Sequence, residues 1–485
     1  MQNDFDLRLN LTNRLWLIVK RLEMLVEDYR DISKEWRQRS KEKFGGYNLA
    51  DRPSHDPELT ETGPRTPGGE YWRRFWFPIC LSDEVTNRPL RKRILSEDLV
   101  VYRDQEGNCG LLHLHCSHRN MSLEFGIVEE RGLRCAYHGW LYDYDGTVIE
   151  TPGEPKGSPI CEKVKQGAYP VKEFKGLVFA YMGPMAEIPP FPIYDTFELD
   201  GHELVPYRLS YPCNYLQVAE NTMDPIHTVY LHTLVGETQF EESWGITPLL
   251  KFHDSDTSLY TTLTYRVEDM IWVRTQQTVF PTFSHVGAFW ETGLKEKYFV
   301  RSSITKWTVP IDDTECMIIA WRHFGPAIDP DNKGKRDEVK IESVDFEGQT
   351  AARDYNEMQR NPGDYEAQVS IGPIARHATE NLGKTDQGVM MLRNRLRRGI
   401  RDVQNGTLIT HYDAEKDIKN LYTQDTVMPI PQRDDIDDDT LMATVADEVM
   451  RVITEGDKYS EKEREDFIIQ NLKKIKSDPR FVVKV

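Results

Sequence analysis

Cysteine is scarce, seven residues among 485 and an odd number, which excludes the disulfide framework of a small secreted protein. Long apolar runs are missing too. Leu15 to Val19, the longest near the N-terminus, stops at Lys20 and Arg21, too short for a signal peptide core and far from the ~18 residues of a membrane span. Cations are outnumbered, 61 Lys and Arg against 79 Asp and Glu, for a net charge of −18. Such a surface repels phosphate backbones and anionic headgroups, so neither nucleic acid nor a membrane is an expected partner. These absences predict a cytoplasmic chain acting on small molecules or on protein partners. The sequence also lacks an internal repeat, and lacks the Gly-x-Gly-x-x-Gly signal of a nucleotide-binding domain.

What is present is enough for two or three domains with a sizeable core, since 39% of residues are apolar and 11% aromatic. Apolar residues at Leu15, Ile18, Leu22, Leu25, Tyr29, Ile32 and Trp36 form one stripe at helical spacing. A Gly-, Pro- and Thr-rich arm follows, from Gly45 to Gly69. From about Glu70 to Pro190 short β-branched and aromatic runs, such as Leu99 to Arg103 and Leu177 to Tyr181, are cut by turn signals such as Asp145-Gly146, which predicts a small all-β domain. Strands at Leu259 to Val267 and Ile271 to Val279, a helical stretch near Leu216 to Leu234, and a helical region from Asp345 to Arg401 predict an α+β second domain. In the acidic tail, aspartates 434, 435 and 437 to 439 precede a helical pattern at Leu441, Val445, Val449, Val452 and Ile453. They lack the spacing, glycine and final glutamate of a calcium loop and suit a helix N-terminus instead.

Two Cys-His pairs carry the first chemistry. Cys116-Ser-His118 is followed, after sixteen residues, by Cys135-Ala-Tyr-His138-Gly139-Trp140. Two thiolates and two imidazoles on two loops suit either zinc or a Rieske [2Fe-2S] centre. A second group lies at Glu220-Asn221-Thr-Met-Asp224-Pro-Ile-His227-Thr-Val-Tyr-Leu-His232. Asp224 and His227 share a helical face. His227 and His232, five apart, are rotated by roughly 140° on an ideal α-helix, so joint ligation requires a local deformation.

Together these motifs resemble those of the Rieske non-heme iron ring-hydroxylating oxygenases. The leading segment Thr62-Gly-Pro-Arg-Thr-Pro-Gly-Gly-Glu-Tyr-Trp-Arg-Arg-Phe-Trp is closest to the phthalate dioxygenase and aromatic O-demethylase branch. The resemblance implies an α+β chain: an all-β Rieske domain, then a catalytic domain of antiparallel sheet and helices of the helix-grip type, with helical extensions at both ends. The expected divisions are an N-terminal extension over 1–45, the arm and Rieske domain over 46–190, the catalytic domain over 191–411, and an acidic C-terminal extension over 412–485.

By the same resemblance Cys116 and Cys135 hold the buried iron of the cluster, and His118 and His138 the outer one. His227, His232 and a later carboxylate hold a mononuclear Fe(II) where dioxygen and substrate meet. The segment Asn381-Leu-Gly383-Lys-Thr-Asp386-Gln-Gly388-Val389 looks like the third-ligand segment, which points to Asp386, with Glu380 as its neighbour in competition and a helix cap as the plainer role. Asn221 and Asp224 take catalytic roles, Asp224 linking His227 to His138 of the partner subunit in a homotrimer or a multiple of trimers. The implied partners are an NAD(P)H-dependent flavin/iron-sulfur reductase, with or without a ferredoxin, and an aromatic or otherwise hydrophobic small molecule. The reaction is hydroxylation or O-demethylation, as in the catabolism of aromatic hydrocarbons. A Rieske electron carrier or scaffold without oxygenase activity is the rival expectation.

Overall fold

The computed structural model describes residues 55–409 and 419–481, together with Val19. Contacts divide the chain into a small unit, residues 1–54 with 376–379, and a main unit, residues 55–375 with 380–485. The N-terminal helical stripe lies outside the described residues, as does the expected division at 411. Of the small unit, beyond Val19, one turn is described, in which the Thr379 hydroxyl donates to the Arg376 carbonyl at 2.9 Å. Among the described residues no helix is long and apolar enough to cross a membrane.

The main unit begins with eleven short strands in three antiparallel sheets. The first sheet contains β1 (Trp76–Leu81), β10 (Val171–Phe174) and β11 (Leu177–Tyr181). The second contains β2 (Leu90–Ile94), β3 (Glu97–Arg103), β4 (Cys109–His113) and β9 (Ala168–Tyr169). The third contains β5 (Ile127–Val128), β6 (Leu133–Arg134), β7 (Leu141–Tyr142) and β8 (Val148–Glu150). Such short strands follow from the sequence, where Gly, Asn, Asp or Pro interrupts most of the β-branched runs. Both Cys-His pairs fall in loops, one between β4 and β5 and the other between β6 and β7.

A larger antiparallel sheet follows, in the order β12 (Glu203–Tyr211), β19 (Cys316–Phe324), β18 (Ile304–Pro310), β16 (Phe283–Val286), β15 (Met270–Val279), β14 (Ser258–Val267) and β13 (Leu249–Asp254). One edge of β15 is occupied along its whole length by β14. Its other edge forks: residues 277–279 pair with β16 and residues 270–275 pair with β20 (Gln424–Pro429), which in turn pairs with β17 (Lys297–Val300).

Helices close this sheet. α1 (Tyr215–Glu220), α2 (His227–Val229) and α3 (Asp364–Val369) are short. α4 (Gln387–Gln404) buries Val389, Leu392, Leu396 and Ile400, steps of three and four that put one apolar stripe against the core. Gly388 lets it approach closely, since a Cβ there would come within 2.3 Å of the Met223 carbonyl. α5 (Asp438–Glu455) starts on Asp437, whose carboxylate accepts from the Thr440 amide; Asp438 pairs with Arg266. These clustered aspartates therefore cap and dock a helix. α5 and α6 (Glu461–Ile475) form a separate core with Ile271, Val273 and Met428. The largest core joins the first two small sheets to the large one, where Phe179 meets Trp307 edge-on with ring centroids 5.3 Å apart.

Candidate functional site

Each Cys-His loop is a tight turn locked by its own backbone. Around Cys116, its amide donates to the Met121 carbonyl and the Asn120 amide donates to the Cys116 carbonyl, both at 2.9 Å. Around Cys135 the matching bonds run to the Trp140 carbonyl at 2.8 Å and from the Gly139 amide at 3.0 Å. Gly139 sits at φ +76°, where a side chain would be strained. Gln166 staples the first loop, donating to the His113 and His115 carbonyls at 2.7 and 3.0 Å and accepting from the Ser117 amide at 2.8 Å.

The result is an ordered donor set. Cys116 and Cys135 are buried, whereas His118 is half-buried and His138 exposed. The two imidazoles lie 4.6 Å apart by ring centroid, and Trp140 stacks on His118 at 4.6 Å and 5°. Tyr142 Oη stands 2.9 Å from Cys116 Sγ and 3.1 Å from Ser117 Oγ. Burial pushes the Cys135 thiol up, and burial with Cys116 pushes the Tyr142 phenol well up, so the phenol keeps its proton to donate to sulfur. Two interior sulfurs and two surface imidazoles are the donors a Rieske cluster takes.

The second constellation is built by an irregular helix. After α1 the chain makes a 3₁₀ turn over Asn221–Met223, restarts as α2, and continues as a π-helix over Tyr230–Leu234. The Val235 amide donates to the Tyr230 carbonyl at 2.9 Å, the five-residue closure of a π-turn. This is the deformation that the five-residue spacing demanded, and it brings His227 and His232 to ring centroids 5.2 Å apart.

The carboxylate facing them is Asp364, at the start of α3, and one ligand atom from each of these three residues lies within 4.8 Å of the others. Asp364 Oδ1 is 3.4 Å from His232 Nε2 and 3.6 Å from His227 Nε2. Asp386 is corrected accordingly. It precedes α4 and its carboxylate accepts from the Gly383 amide at 2.6 Å, a local turn role that leaves it outside the cluster. Glu380 is equally committed, paired with Arg393 at 3.1 Å, while Arg393 also binds Glu220 at 2.9 Å.

Hydrogen bonds fix how the three donors present themselves. His227 Nδ1 donates to the Asp224 backbone carbonyl, and His232 Nδ1 donates to Gln239 Oε1 at 2.7 Å. Both acceptors lack a proton to give, so each Nε2 keeps its lone pair for the centre of the cluster. Gln349 Nε2 holds Asp364 Oδ2 at 2.8 Å. The Asn221 amide nitrogen donates to His227 Nε2 at 3.0 Å and to Asp364 Oδ1 at 2.9 Å; an electropositive group is thus met by two of the three donors at once. Burial lowers the His227 pKa against the pull of Asp364. Burial also opposes charging of His232, but Asp364 more than offsets it and the value is raised. For Asp364 the burial penalty is outweighed by the two imidazoles, which hold it far below the usual carboxylate range. Two imidazoles and a carboxylate, internally braced, fit a mononuclear iron.

Asp224 keeps its carboxylate 3.9 Å from His227 Nδ1, with 36% of its side chain exposed. Gln239 and Gln349 carried no signal in the sequence. Asp364 had only the form of an acid at a helix start.

Above the three ligands a cavity encloses about 560 Å³ of empty space, its open mouth included. Its walls include Phe240, Trp244, Phe289 and Phe346, with Ile304 and Lys306 from β18. Phe289 thus faces the cavity, whereas Phe283 packs on Tyr194 and Trp307, and His285 is buried beside Thr196.

Comparisons with known proteins agree with this geometry. Residues 75–175 match the family model described as the Rieske [2Fe-2S] domain. The chain is 38% identical over 455 residues to the tert-butanol monooxygenase / tert-amyl alcohol desaturase oxygenase subunit of Aquincola tertiaricarbonis, covering 90% of this chain and 96% of that protein. It is 36% identical over 370 residues to the phenoxybenzoate dioxygenase subunit alpha of Ectopseudomonas oleovorans, covering 73% and 87%. Its fold is similar to that of the crystal structure of dicamba monooxygenase bound to dicamba, with a TM-score of 0.53 at 18% identity over 69% of this chain and 98% of that one. The chain belongs to the Rieske non-heme iron oxygenases, as an oxygenase subunit whose cofactors are a [2Fe-2S] cluster and a mononuclear iron, with dioxygen as cosubstrate.

Proposed function

We propose that the chain is the terminal component of a multicomponent oxygenase, taking electrons from a separate NAD(P)H-dependent reductase, with or without a ferredoxin, and oxygenating a small molecule with a compact apolar body. The observation that carries this reading is the triad of His227, His232 and Asp364 beneath a cavity walled by aromatic side chains. Cys116, His118, Cys135 and His138 would hold the cluster; His227, His232 and Asp364 would hold the iron. Bound there, the two groups supply one-electron transfer and the activation of dioxygen for insertion into substrate bonds. The chain's own residues do the positioning. The Asp224 carbonyl and Gln239 lock both imidazole tautomers, Gln349 and Asn221 orient Asp364, and the aromatic wall keeps water from the reacting centre.

The half-exposed carboxylate of Asp224 supports its reading as the link from His227 to His138 of the partner subunit, within a trimer. Seven unpaired cysteines fit a reducing cytoplasm. The substrates named for the two relatives, a tertiary alcohol and an aryl ether acid, widen the expected class beyond arenes.

The test is a single turnover of chemically reduced holoenzyme under isotopically labelled dioxygen, against aromatic acids, aryl ethers, polycyclic arenes and tertiary alcohols, read as product mass. Two labelled atoms in a dihydrodiol identify a dioxygenase. One atom, or loss of a methyl group, identifies a monooxygenase or O-demethylase. A reduced cluster that never reoxidises with any member, in protein holding all three irons, would leave only the electron carrier.

A further inference from the structure

Interior cations of this chain are answered by carboxylates. Arg274 meets Asp425 at 2.7 Å, Arg322 meets Asp345 at 3.0 Å, Arg73 meets Glu97 at 2.6 Å, and Arg301 and Arg464 both meet Asp195 at 3.0 Å. Lys306 departs from this pattern. It lies in the middle of β18, a central strand of the large sheet, and borders the cavity above the triad. Among the described residues its ammonium makes no ion pair and no hydrogen bond. The register explains how a long side chain fits there: Lys306 is flanked by Ser284 on β16 and Ala320 on β19, both small. Ile304, two residues back, and Val286 opposite it continue the same sheet face as apolar wall.

Lys306 is half-buried, and a cation drawn partly out of water without a partner is disfavoured. Among the described residues the acid lining this cavity is Asp364, which is already committed to two imidazoles, Asn221 and Gln349. Lys306, His227, His232 and Asp364 line the same cavity, so cation and triad share one chamber.

Building on the oxygenase reading above, we propose that Lys306 determines substrate specificity: its ammonium receives the carboxylate of a small organic acid whose apolar body lies along Phe240, Phe289 and Phe346. The acid supplies the counter-charge that the chain withholds. The salt link holds one end of the molecule, so the opposite end is directed by the walls toward the triad. A neutral analogue of equal shape covers the ammonium without answering its charge and is rejected for that reason.

The test compares holoenzyme of the natural sequence with K306M, K306Q and K306R, each first shown to contain the cluster's visible spectrum and three irons. Anaerobic calorimetry measures Kd for 3-phenoxybenzoate and benzoate against their methyl esters, and steady-state turnover measures KM and kcat. The expected result is a preference of tenfold or more for acid over ester in the natural enzyme. K306M and K306Q lose that preference through a tenfold or larger rise in Kd and KM for the acids, with ester binding unchanged and kcat at saturation within about threefold; K306R retains part of it. Equal acid binding in K306M and the natural enzyme would overturn the proposal. So would equal losses of acid and ester, or a drop in kcat without a change in Kd, which would place Lys306 in the reaction itself. Turnover of tertiary alcohols or esters but not acids overturns the role of Lys306 and leaves the oxygenase standing. Turnover of none of them by a fully loaded enzyme refutes the oxygenase reading instead.

Discussion

Replacing Asp364 by Asn is the sharpest discriminator of the metal site. The substitution keeps the volume of the side chain and one carbonyl acceptor for Gln349, but removes a full negative charge from between two imidazoles at 3.4 and 3.6 Å. At that range, with an effective dielectric near 20, each unit charge is worth about 5 kcal/mol, and a divalent ion feels it twice. Even if relaxation and water recover half of the total, a loss of about 5 kcal/mol remains, or roughly 4,000-fold in iron affinity. The assay counts iron and acid-labile sulfide per chain after gel filtration in a weak chelator. The natural sequence should hold three irons and two sulfides, Asp364→Asn two and two with an unchanged cluster spectrum and no product, and Asp386→Asn three and two with turnover intact. Three irons in Asp364→Asn, or loss of one in Asp386→Asn, would refute the assignment made from the geometry.

Other outcomes follow from the same contacts. Gln239→Leu removes the acceptor that fixes the His232 tautomer, and iron affinity should fall about 10- to 100-fold, measured by competition with a calibrated chelator. Tyr142→Phe deletes a donor to Cys116 Sγ and should shift the cluster's reduction potential to more negative values in a spectroelectrochemical titration; an unchanged potential would mean the phenol points its proton elsewhere. Burial lowers His202 to about 4 and His285 to about 3, so below pH 6.5 the unfolded chain binds protons that the folded one refuses. The stability that these histidines confer is full above that pH and drains away as the pH falls toward 4, by about 1.4 kcal/mol per pH unit for each. Urea midpoints should therefore drop between pH 7.5 and 5.5, and a flat profile would show these imidazoles to be protonated inside the fold.

The ligand loops were legible because each carries its donors within four residues and closes on its own backbone, so spacing alone defines the geometry. The pair His227 and His232 was half legible: five residues are wrong for an α-helix, and the spacing announced a distortion that the π-turn at Tyr230–Leu234 supplies. Asp364 was not legible, since the contact joins positions more than 130 residues apart and an acid opening a helix is ordinary. Asp386 was chosen because its surroundings look like a ligand segment, yet its carboxylate satisfies the nearby Gly383 amide. The strand β20 escaped notice for another reason. Gln424, Asp425 and Thr426 read as polar loop but are fully buried, their needs met by Arg274, Trp272 and one another.

That strand gives the chain a distinctive order of assembly. Met270 stands in register with Pro429 and Thr275 with Gln424, so the strand that offers Gln276 to the cavity has half an edge open until a segment some 150 residues further along arrives. Pairing over such a separation is slow to form. The Rieske sheets draw their strands from residues 76–181 alone, while the large sheet is complete only with β20 and the helix α5 packed beside it. A chain cut short of residue 424 would therefore leave residues 270–275 of β15 unpaired along that edge.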